Sequence, residues 1–429
     1  MRAAGAERFA EEPRGIEESF TMAADVPFSI DASYDPVQLP APLQPEGVMR
    51  LALDQPLEFS FEPALSTYVV RGTIPDADAP QTAMTLAATH PDIVGVYSDP
   101  VIEPTLTCGD SPPQGDADDV ARLLSAPALA EAGLDGSGVR VAVVDSGINV
   151  EFLRSRGRSP TLDAAASWAP PRVPTAAGEH PVAHGSMCAF DVGIAAPNAT
   201  LLDFAILAGA TSIAGALSDA VAAYGRLLGL LRDEQPALPA LVVTNSWGVF
   251  DPGTDFAVGS PSNYTDNPRH PFNVIVASLE AAGADILFAA GNCGVECPDG
   301  RCRFASRPIT GANSHPKVLS IGGVDVAGER VGYSSQGPGR LASQKPDVCA
   351  YTHFAGSGVK PADTGTSAAC PVAAGLVAAV RTNHSRQALP PQNLRSLVQR
   401  TAHDSGGVGF DFDYGWGVVD TDTLLAALP

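Results

Sequence analysis

No stretch of about 18 apolar residues occurs in the 429-residue chain, so a membrane-spanning helix is excluded and no membrane partner is expected. The first 30 residues lack a basic start followed by a continuous apolar segment. The chain as given therefore reads as soluble and without an export address: cytoplasmic as written, secreted only if a signal precedes it. Basic residues are scarce, 26 Lys and Arg against 48 Asp and Glu, for a formal charge of −22. That balance argues against nucleic acid as a partner, because phosphate contacts need clustered cations. Cysteine is sparse and odd in number, with seven residues, so at least one thiol is unpaired within a monomer and the compartment cannot be read from the count. Cys293, Cys297 and Cys302 cluster. A disulfide bracing that loop is the leading reading, beside a set of reduced thiols, since a zinc site lacks a clear fourth ligand. Cys188 and Cys370 read as small buried hydrophobes.

What is present is a set of short motifs, each suited to one chemical role. The run Val139 to Gly147 (Val-Arg-Val-Ala-Val-Val-Asp-Ser-Gly) is a β-rich apolar stretch ending in Asp145. It predicts a buried parallel strand that presents a carboxylate at its carboxyl end, where open α/β sheets bind ligands. His184 opens His-Gly-Ser-Met-Cys-Ala-Phe and starts a small-residue helix running towards Ala195, whereas His180 reads as a solvated loop histidine. Ser367 lies in Thr364-Gly365-Thr366-Ser367-Ala368-Ala369-Cys370-Pro371, at the start of an apolar helix whose free N–H groups can stabilise an anion. A strand Ile286 to Ala290 ends in Gly291-Asn292, which places an amide donor beside small residues. Taken singly, each has a plainer reading: turn residues for Asp145 and Asn292, a solvated loop for His184, a helix cap for Ser367.

The order Asp145, His184, Ser367, with Asn292 between the last two, resembles that of the subtilisin-like serine peptidases, the subtilase family. The likeness runs with breaks from about Asp119 to Ala427 and includes Thr244-Asn245-Ser246-Trp247-Gly248, Ser334-Ser335-Gln336-Gly337-Pro338, Lys345-Pro346-Asp347-Val348 and Tyr414-Gly415-Trp416-Gly417. It implies a three-layer αβα fold with a mainly parallel sheet and serine endopeptidase activity through an acyl-enzyme. Ser367 would be nucleophile, His184 base and then acid, Asp145 its orienter and Asn292 the oxyanion donor. Asn245, Ser246, Trp247, Gly248, Ala290 and Gly291 would line the cleft and bind a protein or peptide substrate. Neither a cofactor nor a metal is expected. The chain passes directly from Ile194 to Pro197, leaving no room for the Asn-rich loop with which many subtilisins hold calcium.

The remaining sequence divides into residues 1–47, Pro- and Glu-rich and expected to be extended or poorly ordered; 48–103, an α+β segment; and 104–118, a linker or processing region before the peptidase domain at 119–429. Strands are expected over Ser66–Gly72 and Ile93–Ser98, with a helix over Ala83–His90. This segment is similar to the propeptide of subtilases, shortened, which implies an intramolecular inhibitor cut between about Glu103 and Asp118. An accessory binding domain is the alternative. The enlarged connection from Gly248 to Phe272 either shapes one rim of the cleft or is a surface elaboration. As a whole the chain reads as an autoinhibited serine endopeptidase, with a latent or partner-activated binding protein and an acyl-enzyme peptide transferase as the competing functions.

Overall fold

The computed structural model describes residues 29–31, 33–39, 41–42, 59–60, 67–74, 79–89, 93–104, 111–208, 215–233 and 238–429. A seven-stranded sheet forms the middle layer of the catalytic body. In chain order its strands are β1 (Arg140–Asp145), β2 (Thr161–Leu162), β3 (Thr200–Ala205), β4 (Leu241–Asn245), β5 (Ala284–Ala289), β6 (Leu319–Val324) and β7 (Val348–Tyr351). Every neighbouring pair is parallel, and the order across the sheet is 2-3-1-4-5-6-7. The expected three-layer fold with a parallel sheet is what forms.

The apolar runs are continuous because both faces of the sheet are covered. Along β1, Val141 and Val143 enter one core while Ala142 and Val144 enter the other. Along β5, Leu287 and Ala289 join the first core and Ile286 and Phe288 the second. Helices α1 (His184–Ala195) and α4 (Thr366–Arg381) cover the first face. Helices α2 (Leu217–Asp233) and α3 (Pro271–Ala281) cover the second. The close packing of α1 on α4 depends on Gly375, where a Cβ would lie 2.4 Å from the Val192 carbonyl oxygen. From β1 the chain builds the sheet outwards in both directions, so the carboxyl ends of β1 and β4 mark the switch point where such sheets place their sites.

The amino-terminal part pairs its short strands antiparallel: Ser29–Ile30 with Gly72–Thr73, Val37–Leu39 with Thr67–Val69, and Ala41–Pro42 with Phe59–Ser60. Residues on either side of position 47 therefore share these ladders, and the stretch expected to be extended contributes strands. The expected helix is present as Ala79–Thr89, and the expected strand at Ser66–Gly72 as Thr67–Val69 followed by Gly72–Thr73. Ile93–Ser98 is not a strand, contrary to expectation. The strand lies further on, at Val101–Pro104, where the backbone finds edge partners on both sides: Gly215–Ala216 and Trp247–Gly248. Cys108 and the rest of 105–110 in the expected processing region, like most of 1–58, lie outside the described residues.

This part is seated on the amino end of α2. Tyr34 Oη donates to the Ser218 carbonyl at 2.9 Å. Arg71 Nη1 reaches Ser218 Oγ at 3.2 Å and Asp219 at 3.4 Å. Asp99 accepts from Ser218 N at 2.5 Å and Ser218 Oγ at 2.6 Å, placing a carboxylate where helix N–H groups point outward.

Candidate active site

Asp145 is the last residue of β1 and is 1% exposed, so its carboxylate survives burial only by being bonded. Oδ1 accepts from Ser146 N at 2.7 Å, and both oxygens face His184 Nδ1, at 2.8 and 2.9 Å. His184 is the first residue of α1, and Gly185 behind it lets the helix start against the β1 turn: a Cβ there would lie 2.5 Å from the Gly147 carbonyl oxygen. With Nδ1 committed to Asp145, Nε2 is the remaining ring nitrogen, buried and without a partner among the described residues. Binding Nδ1–H to a carboxylate selects the tautomer whose Nε2 accepts a proton.

Ser367 is the second residue of α4. Its carbonyl accepts from Ser246 Oγ at 3.0 Å, and its Oγ lies 3.5 Å from the Ser246 carbonyl. Cys188, one turn along α1 from His184, ties the three motifs into one place: Sγ is 3.8 Å from His184 Nδ1, 3.8 Å from Asp145 Oδ2 and 3.7 Å from the Ser367 carbonyl. Burial pushes the Cys188 thiol well above its ordinary range, with Asp145 adding to the shift. Asp145, His184 and Cys188 form the one set with metal-ligand spacing among the described residues. A thiol held protonated beside an aspartate already bonded to the histidine is a poor metal ligand.

Asn292 follows the turn at the end of β5. Its Oδ1 accepts from Thr366 N at 2.9 Å and Thr366 Oγ1 at 3.1 Å, which fixes the plane of the amide and turns Nδ2 away from Thr366. Gly291 has a φ of +101°, and its N–H donates to Thr366 Oγ1 at 3.0 Å, so the β5 turn and the Ser367 helix are locked to each other. Gly291 and Ala290 border a recess of about 10 Å³ that also touches Gly248, Val249, Phe250 and Asn313. The disulfide expected in the neighbouring loop joins Cys293 to Cys302, and Cys297 is disulfide-bonded as well. Cys188, Cys349 and Cys370 are free and buried.

The expected cleft residues separate into two groups. Trp247 and Gly248 form an edge that pairs antiparallel with Val101–Pro104, Trp247 opposite Pro104 and Gly248 opposite Glu103. The Trp247 ring is wholly buried, with Nε1 donating to the Val144 carbonyl at 2.9 Å, so its backbone pairs with Val101–Pro104 while its side chain is anchored in the core. Asn245 does not reach the cleft. Its Nδ2 donates to the Leu287 carbonyl at 3.0 Å inside the sheet. On the other side of the cleft strand, Ile102 lies opposite Gly215 and is 0% exposed in the second core. Ser367 and Asn292 likewise have no exposed surface.

Other buried polar groups were not apparent in the sequence. His180 is 1% exposed rather than solvated, because it packs over Gly147 and its Nε2 faces Asp203 Oδ2 at 3.7 Å. Asp191 on α1 is fully buried, neither oxygen meets an N–H donor among the described residues, and it faces the carboxyl of Asp363, four residues before Ser367. Burial and then the Asp363 charge push the Asp191 carboxyl well above the usual carboxylate range. No signal in a single sequence separates such a residue from a surface aspartate, because its neighbour lies far along the chain.

Residues 136–417 match the family model described as the subtilase family. Human membrane-bound transcription factor site-1 protease is 30% identical over 181 residues, 39% of this chain and 16% of that protein. Subtilisin from Bacillus pumilus is 26% identical over 301 residues, 69% of this chain and 94% of the relative. Subtilisin E from Bacillus subtilis shows 26% over 301 residues, 69% of this chain and 68% of the relative. The match thus spans about a sixth of the site-1 protease and most of the length of the subtilisins. Among the described residues no helix is long and apolar enough to cross a membrane.

Proposed function

The chain belongs to the subtilase family, and from that premise we propose that it is a serine endopeptidase made as an autoinhibited precursor. His184 takes the Ser367 proton through Nε2, and Ser367 Oγ attacks the substrate carbonyl carbon to form a tetrahedral intermediate. The same histidine then gives the proton to the leaving amine, and water resolves the acyl-enzyme by the reverse sequence. Asp145 holds the imidazole in the tautomer this requires and stabilises its charged form. Asn292 Nδ2 and the Ser367 N–H receive the developing oxyanion. No metal or cofactor enters this scheme.

The observation that carries the inhibited-precursor reading is the strand Val101–Pro104. It fills the gap between Gly215–Ala216 and Trp247–Gly248 as an added antiparallel strand, the way an extended peptide substrate is held. It leads along the Trp247 edge towards Ser246, whose hydroxyl contacts the Ser367 carbonyl. The cut is expected within a few residues after Pro104. The substrate class is accordingly an extended polypeptide offering backbone to the same two edges.

Intact mass after treatment with a fluorophosphonate tests both parts. One adduct on wild type and none on Ser367→Ala is expected, together with loss of roughly the first hundred residues in wild type alone. A folded, full-length wild type with no adduct would favour the second reading, a latent binding protein, for which the complete enclosure of Ser367 is the supporting observation.

A further inference from the structure

Ahead of the cleft strand, the chain is held a second time by the enlarged connection between Gly248 and Phe272. Ser98 is bonded by it at every polar atom. Its Oγ donates to Asp255 Oδ1 at 2.5 Å, its N–H donates to the Ser262 carbonyl at 3.1 Å, and its carbonyl accepts from His270 Nε2 at 3.0 Å. The Tyr97 ring stands edge-on to His270 at 5.3 Å.

The receiving groups are also held by their own loop. Asp255 accepts three backbone N–H groups of its own loop, from Phe256 at 2.8 Å, Tyr264 at 3.0 Å and Thr265 at 2.9 Å, so its carboxylate is aimed by the backbone. His270 caps α3, with Nδ1 accepting from Phe272 N at 3.2 Å, which leaves the proton on Nε2 to meet a carbonyl. Burial lowers the His270 pKa to about 4, so the ring is neutral in neutral solution and keeps this tautomer. A surface elaboration has no need of a buried, oriented histidine and a carboxylate that converge on one residue of another segment.

We propose that the Gly248–Phe272 connection is a peptide-recognition site outside the cleft, built for an aromatic residue followed by a serine four residues ahead of the aliphatic side chain that fills the Ile102 position. It rests on the reading of Val101–Pro104 as a substrate-like strand, and extends recognition from that strand to the residues preceding it. The occupant in this structure is the chain's own Tyr97-Ser98. The substrates it selects are extended polypeptides carrying the same hydroxyl. A phosphorylated serine is rejected, because its charge would face Asp255, the carboxylate that receives the Ser98 hydroxyl.

The test uses the chain isolated with its amino-terminal part still bound, cut or uncut, and the rate at which a fluorophosphonate labels Ser367, which reports release of the bound segment. Ser98→Ala and Asp255→Asn should each speed labelling about tenfold, the effect of losing a hydrogen bond to a charged group. The double variant should be no faster than either single one. Ile102→Ala tests the cleft strand separately and should also speed labelling. In the Ile102→Ala chain, added peptide Val96–Pro104 should slow labelling at a concentration at least about tenfold below that needed for Pro100–Pro104, and the phosphoserine form should lose that advantage. If Ile102→Ala speeds labelling while Ser98→Ala does not, and the two peptides act alike, the outer site is overturned and the cleft reading stands. If Ile102→Ala leaves labelling unchanged and neither peptide protects, the cleft reading falls and takes this proposal with it.

Discussion

Two buried histidines, four residues apart in the chain, each face a buried aspartate, and only one pair is hydrogen-bonded. His184 Nδ1 sits within hydrogen-bond distance of both oxygens of Asp145. His180 Nε2 stands 3.7 Å from Asp203 Oδ2, beyond such a distance. The partners' own bonds differ as well. Asp203 Oδ2 is already committed to the N–H groups of Ile148 at 3.2 Å and Gly178 at 2.9 Å, so it fastens the β1 turn to the loop before α1. Asp145 has a single bond to its own turn and turns its remaining capacity towards the imidazole. Cys188, which lies against His184 Nδ1, also lies against the Ser367 carbonyl, whereas the His180 ring lies over Gly147. Burial beside a carboxylate is thus insufficient for a charge system; the imidazole must reach it, for Asp203 Oδ1 meets no donor among the described residues and His180 still does not bond it.

Substitutions should break the pairs in different currencies. His184→Ala is expected to lower kcat by about 10⁶, the scale known for subtilisin, a relative of this chain, and Asp145→Asn by about 10⁴; His184→Ala should also lower the melting temperature, because it leaves the buried Asp145 carboxylate without its imidazole partner. Asn292→Ala should cost about 10² to 10³ in kcat. His180→Ala should instead leave kcat within about threefold and lower stability by roughly 2–4 kcal/mol through the cavity it leaves, read by urea unfolding. A His180→Ala loss of turnover as deep as that of His184→Ala would remove the distinction. Gly147→Ala sharpens it: the added Cβ would lie 2.3 Å from His180 Cγ at a φ of +96°. It should destabilise strongly, and combining it with His180→Ala should recover part of the loss, because the ring is the obstacle.

The sheet and the polar groups at its strand ends are legible in the sequence for the same reason. Val139 to Asp145 and Ile286 to Asn292 are local strings in which apolar run, small residue and functional group are adjacent, and each ends at the site. The strand at Val101–Pro104 was misplaced to Ile93–Ser98 because the latter has the stronger β composition, while the pairing is decided by edges more than a hundred residues away. His180 is flanked by Glu179 and Pro181, and nothing local reports the glycine whose missing side chain makes its room. Asn245 belongs to a motif whose backbone serves the cleft, but its side chain is spent inside the sheet.

The smallest expected effect concerns the carboxyls behind the catalytic helices. Asp363 accepts from Ser357 N and, at 2.6 Å, from Ser357 Oγ, whereas Asp191 has no such donor. The two can bond to each other only if one carries a proton, and Asp191 is the one whose charge is the less compensated, with Arg158 the nearby cation. A carboxyl whose folded pKa is raised holds its proton after the unfolded chain has released it. Its contribution is therefore complete below the ordinary carboxylate range and is lost as pH rises through the raised folded value, at up to about 1.4 kcal/mol per pH unit. Asp191→Asn supplies an amide that donates to Asp363 at every pH, so it should flatten this decline and gain on wild type as the medium becomes more alkaline, while His180→Ala should leave the slope in place. Urea unfolding of the three chains from pH 4 upwards measures it. Parallel curves for wild type and Asp191→Asn would show that the α1–Asp363 contact holds no shared proton, and that the unsatisfied oxygens of Asp191 reflect a cost carried by the fold at all pH values.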